Sequence, residues 1–290
     1  MPLIIPKTLP AYDALYEENV FVMHRERAAS QHIRPLEILI LNLMPTKIAT
    51  ETQIARLLAN TPLQVHMTLL QTVSHEATHV SAAHLDAFYK TFDEVKNDRY
   101  DGMIIRWTTG TSCARSWTSA RRTSTPPSMS AGVHRRGCIT TTASARRSCP
   151  RRCSASSSTG SPGPRTRWCA ALTRCSRADV DGCKALRILA ESDEAGPFLM
   201  STENGRQIFV TGHPEYDKYT LDAEYKRDVA KGLPIAIPKN YYPNDDPEQP
   251  PLFRWRAHAH LLYENWLNYY VYQNTPYDLG AIERVKHETR

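Results

Sequence analysis

"LEILILNLMPTKIATETQIARLLAN", Leu36 to Asn60, decides the fold. Its first eight residues, Leu36–Leu43, form a short apolar run that stops before Met44-Pro45, as a buried strand should. Ile48, Ile54, Leu57 and Leu58 then fall near helical spacing. Moving outward, "LQVHMTLL" (Leu63–Leu70) reads as a second strand. "AAHLDAFYKTFDEVKN" places Leu85, Phe88 and Phe92 at i, i+3 and i+7, which predicts one amphipathic helix. "YDGMII" opens a third strand. This β-α-β-α-β order predicts an α/β domain with a mostly parallel sheet and helices on both faces.

The same grammar returns near Lys184. "ALRILAES", "FLMST" and "RQIFVTG" read as strands, and "LDAEYKRDVAKG" as a helix stopped by Gly232. "PKNYYPNDDPEQPP" is a loop. "WRAHAHLLYENWLNYYVYQ" predicts a closing helix, and "TPYDL" (Thr275–Leu279) a turn after it. The N-terminus lacks a basic region followed by an apolar one, and no apolar run approaches the roughly 20 residues that span a bilayer. The expectation is a cytoplasmic protein with no membrane segment. At 290 residues the chain reads as one domain, residues 1–290, with ample core.

The middle of the chain interrupts this pattern. Gly102–Ala178 spans 77 residues without one Asp, Glu or Lys, and it holds 14 arginines. Without those arginines the formal charge of +6 becomes −8, so the net basicity belongs to this segment alone. A window this long carries about ten acidic residues at ordinary usage. Six of the seven cysteines lie inside it, with Cys183 just beyond, so cysteine says nothing of a disulfide framework. Periodicity of either kind is absent, and an irregular or disordered segment at 106–178 is expected to leave a hole in the sheet.

Four readings compete for it. An arginine-rich arm could neutralise phosphates of a nucleic acid, but such arms usually sit at termini. Zinc binding by Cys149 and Cys153, with Cys138, Cys169 and Cys175, fails because the spacings match no paired CxxC pattern. A disordered linker explains the missing core but not the missing lysine. Translation out of frame explains both, since GC-rich coding DNA read one base off yields Arg, Ser, Thr, Pro, Ala and Cys. Under "SMSAGVHRRGCITTTAS" (Ser128–Ser144), synonymous codons read in the shifted frame can spell H-V-C-W-G-A-Q-A-G-L-Y-H-H-Y-G-V. Under Cys153–Ser161 they allow F-G-V-F-E-H-R-V. The out-of-frame reading is preferred.

The sharpest chemical motif is "FVTGHPEY", Phe209 to Tyr216, where an apolar strand runs into Gly212, His213 and Glu215. Catalytic groups of open α/β folds sit past the carboxyl ends of strands. An imidazole there can act as a general base, with Glu215 orienting it. The alternative is a turn histidine beside a surface glutamate. Elsewhere, "HEATH" (His75–His79) spaces two histidines as a zinc helix does, but in a polar loop with no third ligand in view. His258 and His260, at i and i+2, do not share a helix face. No metal is expected. The stripe of Trp266, Tyr269 and Tyr270 reads as core or subunit interface.

"EENVFVM" (Glu17–Met23), "IRPLEILILNLMPTKIATETQ" (Ile33–Gln53), "TGHPEYD" (Thr211–Asp217), "YKRDV" (Tyr225–Val229) and "NWLNYYVYQNTPYDL" (Asn265–Leu279) resemble the homoserine O-acyltransferases of methionine biosynthesis. The resemblance covers about residues 1–105 and 180–280. It implies a flavodoxin-like, class I glutamine-amidotransferase-like fold and no bound cofactor. It further implies acyl transfer from acyl-CoA, as co-substrate, to the hydroxyl of L-homoserine through a cysteine thioester. It carries His213 across as base, Glu215 as its partner and Arg227 as the residue that holds the homoserine carboxylate. A homodimer also follows from it. The departure lies in the middle: the family's nucleophile belongs in a segment like H-x-C-W-G-A-Q, which is the string hidden under Ser128–Arg135. No written cysteine stands in that context; Cys138 is nearest, in "RRGCITT". The family's "TGAP" loop should follow Ile105, where the chain reads "RWTTG", and about twenty residues are missing in net. The resemblance thus implies an acyltransferase, with acetyl preferred as the donor group, whose written chain is inactive. The competing classes are a nucleic-acid-binding protein using the arginine-rich middle and a non-catalytic pseudoenzyme.

Overall fold

A computed structural model describes residues 3–31, 33–72, 80–107, 138–142, 177–184 and 186–275. The strand at Leu36–Leu43 (β3) is the axis of the sheet. It pairs in parallel with Val65–Leu70 (β4), from Leu36 opposite Val65 to Leu41 opposite Leu70. On its other edge it pairs in parallel with Gly102–Trp107 (β6), from Ile38 opposite Gly102 to Leu43 opposite Trp107. Its side chains alternate between two cores. Ile38, Ile40 and Ile104 join Leu3, Leu15, Ile54, Leu58 and Trp266 on one face. Leu39, Leu41, Met103 and Ile105 join Val95 and Tyr100 on the other. A strand buried on both faces is apolar on both, and this explains the unbroken run Ile38–Leu41, while Glu37, only half-buried at the strand's start, contacts His66.

The remaining strands extend the sheet both ways. Leu3–Ile4 (β1) and Val22–Met23 (β2) lie beyond β4, and the two-residue strand Tyr89–Lys90 (β5) pairs with the end of β4. Cys138–Thr142 (β7) lies beyond β6, followed by Gln207–Val210 (β10), Gly196–Thr202 (β9) and Leu186–Ser192 (β8). The order is β2-β1-β4-β3-β6-β7-β10-β9-β8, parallel except where β9 runs against β10 and β8. Between β3 and β6 the order reverses direction, which is where open α/β sheets place their ligand crevice, outside the carboxyl ends of the strands.

Helices Pro10–Glu17 (α1), Lys47–Ala59 (α3) and Arg256–Asn265 (α8) contribute to the first core; Val95, from Phe92–Val95 (α5), packs in the second. Arg25–Ala29 (α2), Ala82–Phe88 (α4), Arg177–Asp181 (α6) and Thr220–Ala230 (α7) complete the described α-helices. α8 continues as a π-helical turn over Trp266–Val271. Gly102 lets Trp266 approach the sheet: a Cβ there would stand 3.0 Å from the Trp266 ring and from Ile38 Cδ1. Gly232, at φ 68°, ends α7 as the sequence predicts. Among the described residues no helix is long and apolar enough to cross a membrane.

Three expectations are corrected. The hole expected in the sheet is filled by β7, whose backbone pairs in parallel with β6 and β10. The run CITTT is β-branched at four of its five positions, which suits a strand whatever its origin. The single amphipathic helix over 82–97 is two helices split by β5. Thr91 restarts the second with a capping box, its backbone N–H donating to Glu94 at 2.7 Å. Ile48, placed on the buried face of α3, is 39% exposed, and Thr50, Glu51 and Gln53 are buried instead. The HEATH motif, the turn after Thr275 and the cysteines at 149, 153, 169 and 175 lie outside the described residues.

Candidate active site

The loop after β10 is fixed by its neighbours. Thr211 donates from its backbone N–H to Phe198 (3.0 Å) and from Oγ1 to the Pro197 carbonyl (2.7 Å), tying the loop to β9. At Gly212 a Cβ would meet the Phe198 ring at 3.1 Å, so a side chain would press that ring aside. The Trp255 indole donates to the Tyr216 carbonyl at 3.0 Å and holds the loop's far end. Between these anchors His213 and Glu215 turn inward.

His213 Nδ1 lies 2.7 Å from Glu215 Oε1. The Glu215 side chain is fully buried, and the Tyr216 ring stacks on the imidazole with centroids 4.0 Å apart. Tyr216 in turn donates to Glu224 at 2.8 Å, and burial, then the Glu224 charge, raise its phenol well above the ordinary range. The structure therefore brings together the two residues that the sequence assigns to base and partner.

It adds one that the sequence analysis did not single out. Arg106, near the end of β6, is fully buried, and its Nη2 contacts both Glu215 Oε1 and His213 Nδ1. A buried guanidinium needs a buried anion, because desolvation of either alone costs several kcal/mol. Burial pushes the Glu215 carboxyl up. The Arg106 charge is the chief opposing cause, and the carboxyl is held below the usual carboxylate range. The available signal was an arginine closing the apolar strand GMII.

Arg227 is not part of this cluster. Its side chain is 56% exposed on α7 and donates to Asp228 at 2.8 Å. It stands within electrostatic reach of Glu224 and Tyr216. Cys138 heads β7 opposite Met103 and Gln207, whereas Arg106 and Val210 face Thr141. Three residues along a strand is about 10 Å, so Cys138 begins at the wrong end of its strand for this site.

Beside the cluster, Asn42 of β3 is the register partner of Arg106. It belongs to a second buried polar group. Asn42 Nδ2 donates to the Tyr89 hydroxyl (2.9 Å), which donates to Glu51 (2.6 Å), and His84 Nε2 lies 3.1 Å from both Glu51 oxygens. Lys47, 2% exposed, donates to the Asn42 carbonyl and lies over the Tyr89 ring. A cavity of about 410 Å³ against the same loop is lined by Gln53, Arg56, Glu215, Tyr216, Arg256 and His260, among others. No group of three or more His, Cys, Asp or Glu side chains among the described residues could hold a metal ion.

Comparison with known proteins places this chain in a family. The homoserine O-succinyltransferase family model matches residues 2–115 and 160–277. A homoserine O-acetyltransferase of Petrotoga mobilis is 44% identical over 310 aligned positions, covering 98% of this chain and 99% of the relative. One from Brevibacillus brevis is 44% identical over 311 positions (98% and 100%), and one from Clostridium novyi 45% over 314 (96% and 99%). With a family model over most of its length and relatives of this identity along nearly all of it, the chain belongs to the homoserine O-succinyltransferase family of acyltransferases.

Proposed function

We propose that this chain derives from an enzyme that transfers an acetyl group from acetyl-CoA to the hydroxyl of L-homoserine through a cysteine thioester, and that it is inactive as written. The supporting observation is the pairing of His213 with Glu215 at the carboxyl end of β10, in a chain whose relatives carry the homoserine O-acetyltransferase name. Those names favour acetyl over succinyl, although the family takes its name from the succinyl reaction. In this reading His213 removes the proton from the thiol and gives it to the departing CoA thiolate, then takes the proton of the homoserine hydroxyl and returns it to the cysteine sulfur as the ester forms, while Glu215 orients the ring. Arg227 binds the homoserine carboxylate after exchanging its contact with Asp228. Acyl-CoA is a co-substrate, no cofactor is bound, and two copies of a single-domain chain pair in solution.

The nucleophile is the missing part. The family model stops at residue 115 and resumes at 160, which supports a foreign reading frame between them. The 310 positions aligned with the Petrotoga protein exceed the 290 residues of this chain, so at least 20 positions there have no counterpart here. The test is to assay CoA release with L-homoserine and either acetyl-CoA or succinyl-CoA. It compares the written chain with one whose gene has its frame restored across codons 106–178. The expected result is acetyl transfer by the restored chain and none by the written one. Succinyl preference in the restored chain would reject the donor assignment, and turnover by the written chain would reject its inactivity.

A further inference from the structure

We infer that Arg106 is a positioning residue that sets the tautomer of His213, taking Nδ1 away from Glu215 and leaving the ring proton on Nε2. The inference rests on the reading of His213 as the base. Three groups meet at two atoms: Arg106 Nη2 contacts His213 Nδ1 and Glu215 Oε1, and these lie 2.7 Å from each other. A guanidinium only donates and an ionised carboxylate only accepts, so Nδ1 cannot serve both. If Nδ1 carries the proton, it bonds Glu215 and two N–H donors face each other. If Nδ1 is bare, it accepts from Arg106, the proton sits on Nε2, and the lone pairs of Nδ1 and Glu215 Oε1 lie close together, both turned to the same guanidinium nitrogen.

Charge decides between them. Glu215 is fully buried, and its carboxylate needs a counter-charge. Arg106 is permanently charged, equally buried and in direct contact, so the carboxylate is balanced without the imidazole proton. The second guanidinium hydrogen then finds the Nδ1 lone pair. A base needs a free lone pair facing its substrate. With Nδ1 occupied and Nε2 protonated, the imidazole has none. Supplying a cysteine at the site would therefore not restore proton transfer while Arg106 remains.

The test is nitrogen NMR on the full-length, 15N-labelled chain, reading the His213 ring nitrogens and the scalar coupling across an N–H···N bond at low temperature. The expected result is coupling between Arg106 Nη2 and His213 Nδ1, with Nε2 protonated. In Arg106→Met the coupling vanishes and the proton moves to Nδ1. Arg106→Gln serves the same comparison should the methionine variant lose its near-UV circular dichroism. A protonated Nδ1 in the unmodified chain, absence of the coupling, or an unchanged tautomer in the variants would overturn the inference. Acyl-transfer assays do not enter this readout, so failure of the enzymatic reading shows separately.

Discussion

Two buried polar clusters stand side by side at the carboxyl ends of β3 and β6, joined by the register pair Asn42 and Arg106, and they are satisfied in different ways. In the first, each group has its own partner: Asn42 to Tyr89, Tyr89 to Glu51, Glu51 to His84, Lys47 to the Asn42 carbonyl. In the second, Arg106, His213 and Glu215 crowd onto one oxygen and one nitrogen, while Glu215 Oε2 has no hydrogen-bond partner among the described residues. The first is written wholly within residues 42–89. The second joins His213 and Glu215 to a residue at the border of the arginine-rich segment. A buried network works when every member is satisfied, and a member with a fixed charge decides how the rest can bond.

The contrast can be broken most forcefully at Glu215. Glu215→Ala leaves the Arg106 guanidinium buried without its carboxylate, and we expect a loss of about 3–5 kcal/mol, read by chemical denaturation. A loss under about 1 kcal/mol would mean that Arg106 finds water and that the cluster is not closed. Tyr89→Phe probes the other cluster by removing one hydroxyl from a complete chain. It leaves Asn42 and Glu51 short of a partner, at a cost of about 1–3 kcal/mol. A neutral result would show that this network too has slack. Thr91→Ala removes the capping box that restarts the chain after β5, and about 1 kcal/mol is expected.

The smallest effect concerns pH. Burial, then the Arg256 and Arg56 charges, lower the His260 pKa below its ordinary 6.5. The unfolded chain therefore binds the proton more readily, and stability falls as pH drops through 6.5. Replacing His260 by Gln should flatten that part of the stability profile measured between neutral and mildly acidic pH.

Much of the fold was legible because it rests on burial patterns. The run Ile38–Leu41 must be apolar to cover two cores, and the loop motif TGHPEY announces itself at a strand end. The split at Tyr89 was missed although its cap, T-x-x-E over Thr91–Glu94, is written in the chain; the helical spacing of Leu85, Phe88 and Phe92 outweighed it. β7 was missed because five residues in an arginine-rich, aperiodic context carry no alternation, and sheet pairing with β6 and β10 supplies what local sequence lacks. At the site, His213 and Glu215 are two residues apart and readable together. Arg106 is 107 residues away from His213, and only the parallel stacking of strands brings it there.

The most direct measurement is the intact mass of the purified chain after incubation with acetyl-CoA, without homoserine. The account predicts an unchanged mass, because in the proposed reading the written chain lacks the nucleophilic cysteine. A gain of one acetyl group, mapped to a cysteine of the written sequence and removed on adding L-homoserine, would contradict it.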